Sequence, residues 1–395
     1  MANRAAFVSA GLVLAFALLQ VNANGQPDFF IYRFGAQLGL RGESPYDTAK
    51  VRAAAAEQFP DPDAGPDSFV NNCGYFLPPM AVLIYAPFAM LPWTAAKLLW
   101  AILSAIAAFG IARLPGLFSP QARRPVPPSS FAWLLPFLLV VNFLTLAIVQ
   151  VGQTTLVVVG CVALGQWCFE KGRPTLGVLL WSVAFIKPHV ALPLVPLAWY
   201  LGGWKRAAAL VATVGIGNAL AATMIGGSPL FLREYLDFLA AGHKSVAFNL
   251  AERNPEITSW NRLLFVISGV LIEQTATTTL ASYLIWFGLV VGRCAWSGTR
   301  PSAAWAAAAA AVGAVLCPQV LAYEGLVLAL AVPWVLELFE GGNRRLATIA
   351  ALLLASQLVP FDMMEAVGID FHRPLAVALF ALLVLAGPSR ARPSG

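Results

Sequence analysis

Charge is the scarcest commodity in this 395-residue chain. Only 11% of its residues are Asp, Glu, Lys or Arg, where a soluble domain carries roughly 25%, so an ordinary soluble enzyme is excluded. Histidine is limited to three residues, and the five cysteines (Cys73, Cys161, Cys168, Cys294, Cys317) fall in no paired metal spacing. Cys161 and Cys168 lie inside one apolar run and read as small apolar fillers. There is no Lys/Arg-dense stripe with interleaved aromatics, so nucleic acid is not an expected partner. Ten-residue alternating segments are missing as well, which argues against an outer-membrane barrel.

What is present is apolar. Hydrophobic residues make up 59% of the chain, mean hydropathy is +0.74, and apolar runs recur from Ala5 to Ala386. Runs of this length read as membrane spans. The expected fold class is an all-α polytopic membrane protein, residues 1–395 forming a single integral membrane domain.

The placement of charge orients it. Short basic loops carry Arg4, Arg113, Arg123, Arg124, Lys171, Arg173, Lys205, Arg206, Arg293, Arg300, Arg344, Arg345, Arg390 and Arg392, against the acids Glu170, Glu337 and Glu340. The remaining segments are net acidic. Positive residues stay on the cytoplasmic side, which puts both termini inside and two large loops, 22–92 and 225–273, outside. The spans expected lie at about 5–21, 94–112, 131–148, 153–169, 175–187, 188–201, 207–224, 279–294, 303–318, 325–339, 346–360 and 374–387, a bundle of about 10–12 transmembrane helices. The apolar pieces Leu77–Leu91 and Trp260–Ile272 break this alternation and read as helices on the outer face. Arg373, opening the last span, is expected to snorkel to the interface.

The runs 175–187 and 188–201 are too short to cross alone, since ~14 residues rise only ~20 Å. They are expected to form a V whose tip, Lys187-Pro188-His189, sits in a cavity opening outward. A lysine at membrane depth needs water or an anion, which makes Lys187 the most informative cation in the sequence. His189 either touches the same anion or packs within the V. Asp28, just outside the first span among aromatics, either acts as a general base at the water–lipid boundary or simply caps a helix. Asp61-Pro62-Asp63 has an acid–x–acid spacing but lies in a Pro/Asp/Gly turn, so no metal is expected.

DFFIYRFGAQLGLRGESPYD (Asp28–Asp47), FLPPMAVLIYAPFAMLPWTAAKLLW (Phe76–Trp100) and the segment Gly152–Ala208, with its Gly-Gln and Lys-Pro, occur in an order and spacing that resemble glycosyltransferase family 87. LCPQVLAYEGLVLALAVPW (Leu316–Trp334) matches more loosely. The sequence departs from the family at Leu77, where an aromatic is common, at Gly-Gln-Thr-Thr in place of Gly-Gln-x-Asn, and at Cys317-Pro318 with Tyr323-Glu324 in place of Ser-Pro and a His-containing stretch.

The resemblance implies a membrane glycosyltransferase of the C-type fold, moving a hexose, mannose first among candidates, from a polyprenyl-phosphate donor to a lipid or glycan acceptor. It implies no cofactor, and a plasma (inner) membrane enzyme with its site on the external, periplasmic face among membrane lipids. Carried over residue by residue, Asp28 would be the base. Tyr46 and Asp47 would shape the substrate-side loop, and Gln153 would join two spans. Lys187 would meet the donor phosphate, and Glu324 would stand where the family has other late-motif residues. Arg33, His189, Arg253 and Arg262 complete the candidate substrate-binding set; Arg33 could either tune Asp28 or bind phosphate. Single displacement with a base on the opposite face inverts the anomeric centre. Two other functions stay open at this point: a lipid or solute transporter or flippase, since broken helices with a midplane cation are also transporter features, and a non-catalytic family member.

Overall fold

The computed structural model describes residues 2–22, 25–60, 68–118, 138–245, 257–273, 275–298, 300–357 and 372–387. Within them the chain runs through α1 (Ala2–Asn22), α2 (Pro27–Leu40), α3 (Thr48–Gln58), α4 (Met80–Ala89), α5 (Trp93–Ala112), α6 (Phe143–Val151), α7 (Thr155–Glu170) and α8 (Pro174–Val183). It continues through α9 (Leu194–Gly226), α10 (Leu232–Ser245), α11 (Trp260–Ser268), α12 (Ala276–Ser297) and α13 (Ala303–Leu316). A 3-10 stretch (Ala322–Ala331) then leads into α14 (Val332–Glu340), followed by α15 (Arg344–Ser356) and α16 (His372–Ala386). Among the described residues the only β pairing is an isolated antiparallel bridge between Thr258 and Val320. The protein is an all-α polytopic membrane protein.

Among the described residues, five stretches are long and apolar enough to cross a bilayer: Arg4–Val21, Trp93–Gly116, Leu194–Gly226, Ala276–Ser297 and Ala322–Glu340. Helices α6 and α7 form a bent pair at 115°, and Met80–Ala89, Pro174–Ile186, Ala303–Leu316 and Arg373–Ala386 are shorter apolar helices. The spans expected at 188–201 and 207–224 are continuous in α9 but for Gly203, whose φ of +74° interrupts the helix. The spans expected at 131–148 and 346–360 fall partly outside the described residues, as do Arg253 and the Asp61-Pro62-Asp63 turn. The pieces expected to lie outside the crossings are short, 10 residues in α4 and 9 in α11, at ~15 Å or less too short to cross.

The V is present. α8 runs on through a 3-10 turn, Ala184–Ile186, and the chain restarts at Pro188. A residue before proline is pushed out of the right-handed helical region; Lys187 takes φ −118°, ψ 79°, so Pro188 itself creates the tip.

Small residues bring the framework close around this point. A Cβ on Gly160 of α7 would lie 2.4 Å from Ala107 Cα of α5, the close backbone approach typical of membrane helix pairs. In α13 a run of alanines from Ala307 to Ala311 is buried. Helix α2, expected as part of a polar loop, is instead wedged into the core, with Phe29, Phe30, Ile31 and Tyr32 all buried. Phe29 stacks on Trp93 and Trp100 and meets Phe88 edge-on.

The expectation for Arg373 is corrected. Arg373 does not snorkel: it is 2% exposed, and its Nη1 donates to the carbonyls of Gln357 (3.3 Å) and Ala322 (3.5 Å). The Gln357 carbonyl, left over at the end of α15, needs a donor, and the guanidinium supplies it. All five cysteines are free thiols.

Gly152, which closes α6 at φ +75°, is pinned twice over. A Cβ there would meet Phe29 Cβ at 2.6 Å and Gln26 Cβ at 3.0 Å. Gly152→Ala is expected to cost about 1–3 kcal/mol from the left-handed backbone alone, seen as a Tm several degrees lower in detergent; an unchanged Tm would show that α2 can retreat from the elbow freely.

Candidate active site

The site is built where α2 begins, where α6 turns into α7, at the tip of the V and at the start of the 3-10 stretch. Pro27 at the first helical position opens α2, its missing N–H being one of those a helix start leaves unused. Just before it, the Gln26 N–H donates to the Gln150 carbonyl (3.0 Å) and its side-chain amide to the Val149 carbonyl (3.4 Å). The first turn of α2, which carries Asp28, is thereby stitched to the last turn of α6.

Gln153 occupies the elbow after Gly152, 6% exposed. Its Oε1 accepts from the Thr154 backbone N–H (2.9 Å), the Thr154 hydroxyl (3.3 Å) and the Tyr32 hydroxyl (3.1 Å). A backbone N–H can only donate, so it fixes which end of the amide is oxygen. Nε2 must therefore point the other way, and it donates to Asp28 Oδ2 (2.8 Å) and the Tyr323 hydroxyl (3.1 Å). Asp28 is thus held through Oδ2 by the Gln153 amide N–H, while Oδ1 takes no hydrogen bond from the described side chains and the residue stays partly exposed.

On the far side of Tyr323 lies the V. Lys187, 4% exposed, donates from Nζ to Thr155 Oγ1 (2.9 Å) and Glu324 Oε1 (2.8 Å), and sits 5.1 Å from the centre of the Tyr323 ring. Glu324 Oε1 also meets His189 Nε2 at 3.1 Å. The His189 side chain is 38% exposed against 6% for Glu324, so histidine is the wet member of the cluster and the Lys–Glu pair its floor. The Tyr283 hydroxyl donates to the His189 carbonyl. The Thr258–Val320 bridge, with N–H to carbonyl distances of 2.8 and 3.3 Å in its two directions, holds the segment leading to Glu324.

Burial pushes the Asp28 carboxyl up from its ordinary value to about 6, with Lys187 and the Gln153 hydrogen bond pulling it back. Desolvation is the larger effect, as expected for a carboxylate among aromatics. A group that ionises close to neutral pH can both take and release a proton under working conditions.

Of the candidates read from the sequence, Asp28, Gln153, Lys187, His189 and Glu324 are brought into one connected group. Arg33, Tyr46 and Asp47 are not. Arg33 turns the other way on α2, donating to the carbonyls of Phe88 (3.0 Å) and Leu91 (2.6 Å) beside Trp93. Tyr46 donates to the Leu77 carbonyl (3.1 Å) and packs on Phe231, Tyr235 and Phe238. Asp47 caps α3 by accepting from the Lys50 N–H (3.2 Å). Arg262 is buried against Phe265, on the helix that follows the bridge. Tyr32, Thr155 and Tyr323 belong to the group and were not singled out in the sequence. Tyr32 lies four residues after Asp28, one helical turn on the same face, which is the signal that could have found it. No cluster of three or more His, Cys, Asp or Glu able to hold a metal occurs among the described residues.

A family model, glycosyltransferase family 87, matches residues 75–360. The chain belongs to that family and is a membrane glycosyltransferase. The match takes in Gln153, Lys187, His189 and Glu324 and begins after Asp28. No curated protein and no solved structure gives a significant match.

Two expectations follow for stability. Glu324→Ala leaves the Lys187 ammonium buried without its counter-charge, a loss of about 3–5 kcal/mol; Lys187→Met combined with Glu324→Leu should recover most of it, and a double variant no more stable than the single one would contradict the pairing. Asp28 works in the opposite sense. Its folded pKa lies above the ordinary 3.8, so ionisation penalises the folded state above about pH 6 and not below about pH 4, where the group is neutral folded or unfolded. Asp28→Asn should raise Tm at pH 7.5 and leave it unchanged near pH 4; a lower Tm at pH 7.5 would show that the carboxylate is stabilising.

Proposed function

We propose that this family 87 glycosyltransferase moves a hexose, mannose, from a polyprenyl-phosphate donor to a hydroxyl of a lipid or glycan acceptor, with inversion, on the external face of the plasma membrane. The observation that carries the reading is the pairing of an open carboxylate oxygen on Asp28 with a fixed cation cluster across Gln153. A single displacement needs a base for the incoming hydroxyl and positive charge beside the departing phosphate. Asp28 Oδ1 takes the acceptor proton as the acceptor oxygen bonds to the anomeric carbon. The bond from that carbon to the phosphate oxygen breaks, and the electron pair leaves with the lipid phosphate.

Lys187 and His189 stand on the phosphate side. Because Lys187 is buried and bonded to Glu324 and Thr155, its charge acts through the site's field, while the more exposed His189 is the member able to reach a donor phosphate. Glu324 holds both in place. Gln153 keeps the reactive oxygen of Asp28 turned outward by occupying the other one. A lipid-borne donor suits a site at the rim of a helical bundle, since it arrives within the bilayer.

The test is transfer of labelled hexose from a polyprenyl-phosphate donor in membranes containing the protein, with a screen of lipid and glycan acceptors. Asp28→Asn is expected to lower transfer by about 10²–10⁴-fold, the usual contribution of a general base, at equal protein level. Transfer within tenfold of wild type would move the base elsewhere. Absence of transfer in wild type alongside lipid translocation would favour a transporter.

A further inference from the structure

A second chemical environment lies at the other end of α7. From Thr155 at the site to Phe169 the helix rises about 20 Å, and there α8 and α9 part around a cavity of about 420 Å³. Its walls include Phe169, Thr175, Leu179, Ala209 and Thr213, and its rim carries Lys205 and Arg206. The two cations follow directly on the interruption of α9 at Gly203.

Arg206 lies flat over the Phe169 ring, 4.0 Å from its centre. Neither Arg206 nor Lys205 forms an ion pair among the described residues. Glu170, next to Phe169 in the chain, is engaged elsewhere, accepting from the Phe118 N–H (3.0 Å) and the Gln166 amide (2.9 Å). Two cations thus line a mostly apolar cavity with no ion-pair partner among the described residues. Below them Leu176, Leu179 and Val211 are exposed, and Trp199 and Trp204 are 65% and 68% exposed on the same helix. Exposed tryptophans next to basic residues mark the headgroup level of a bilayer.

We propose that this cavity binds the phosphate headgroup of an anionic phospholipid, with Lys205 and Arg206 on the phosphate and an acyl chain along the Leu176–Leu179 face. Charge complementarity selects the headgroup, and the apolar wall continuing below the cations selects a lipid over a soluble anion. Basic pockets between membrane helices bind anionic headgroups by the same physics. The site is separate from the Asp28 group and does not depend on the transfer reaction.

The test uses the full-length protein in detergent, titrated with phosphatidylglycerol, with phosphatidylcholine and with inorganic phosphate, reading Tm. Phosphatidylglycerol should raise Tm saturably, and the other two should not. Lys205→Gln with Arg206→Gln should weaken the response about tenfold or more. Ala209→Trp, which fills the cavity and leaves the charge unchanged, should weaken it as well. Arg344→Gln with Arg345→Gln, an equal charge loss away from the cavity, should leave it intact. An equal effect of phosphatidylcholine or of phosphate alone, or equal loss in the Arg344/Arg345 control, would overturn the proposal.

Discussion

A lysine buried at 4% exposure in a membrane bundle is tolerable only if a carboxylate is buried with it, and the arrangement of this protein around Lys187 follows from that requirement. Glu324 must come to the tip of the V, so the segment carrying it is tied from two sides, by the Thr258–Val320 bridge and by Arg373 on the Ala322 carbonyl. Pro188 must break the helix at Lys187 so that the ammonium faces inward and not along a helix surface. A buried ion pair adds little stability compared with a packed apolar pair, but losing one partner is severe. The pair therefore acts as a geometric lock: it fixes where α8, α9 and the 3-10 stretch meet.

The second constraint is the elbow. Gly152 lets α6 end in a left-handed residue against Phe29, and this contact sets the distance between α2 and α7. Gln153, its carbonyl end claimed by a backbone N–H, has no choice of orientation and presents its N–H groups to Asp28 and Tyr323. One amide thus links the carboxylate side of the site to the cation side. Together they place a partly exposed carboxyl, raised to about 6 by burial, one side chain away from the Lys187–Glu324–His189 cluster.

Much of this was legible in the sequence where chemistry forces a choice. The scarcity of charge gave the membrane class, and Lys187-Pro188 gave the break after α8, though not the length of the helix that follows. Asp28, Gln153, Lys187, His189 and Glu324 stood out as polar groups in apolar or motif-bearing surroundings. What the sequence obscured was the helical state of residues 27–40. Read as loop, Arg33 looks like a neighbour of Asp28; on a helix, five residues place it about 140° round the axis, where it meets the carbonyls of Phe88 and Leu91 instead. The same error hid Tyr32, which one helical turn brings into the site. Thr155 and Tyr323 lay in the stretches that depart from the family's pattern, but their contacts join segments far apart in the chain and could not be read there. Arg373 was misread because snorkelling is the default for a terminal arginine, and only the fold reveals that carbonyls from two segments converge on it.

The most direct test of the account is the pH dependence of kcat/KM for sugar transfer, measured on wild type and on Gln153→Leu. If Asp28 is the base and the elbow sets its acidity, wild-type activity should fall on the acid side with an apparent pKa near 6. In the variant, which removes a hydrogen bond that favours the carboxylate, that limb should move to higher pH. A profile flat from pH 5 to 7.5, or an acid limb that stays in place when Gln153 is replaced, would contradict it.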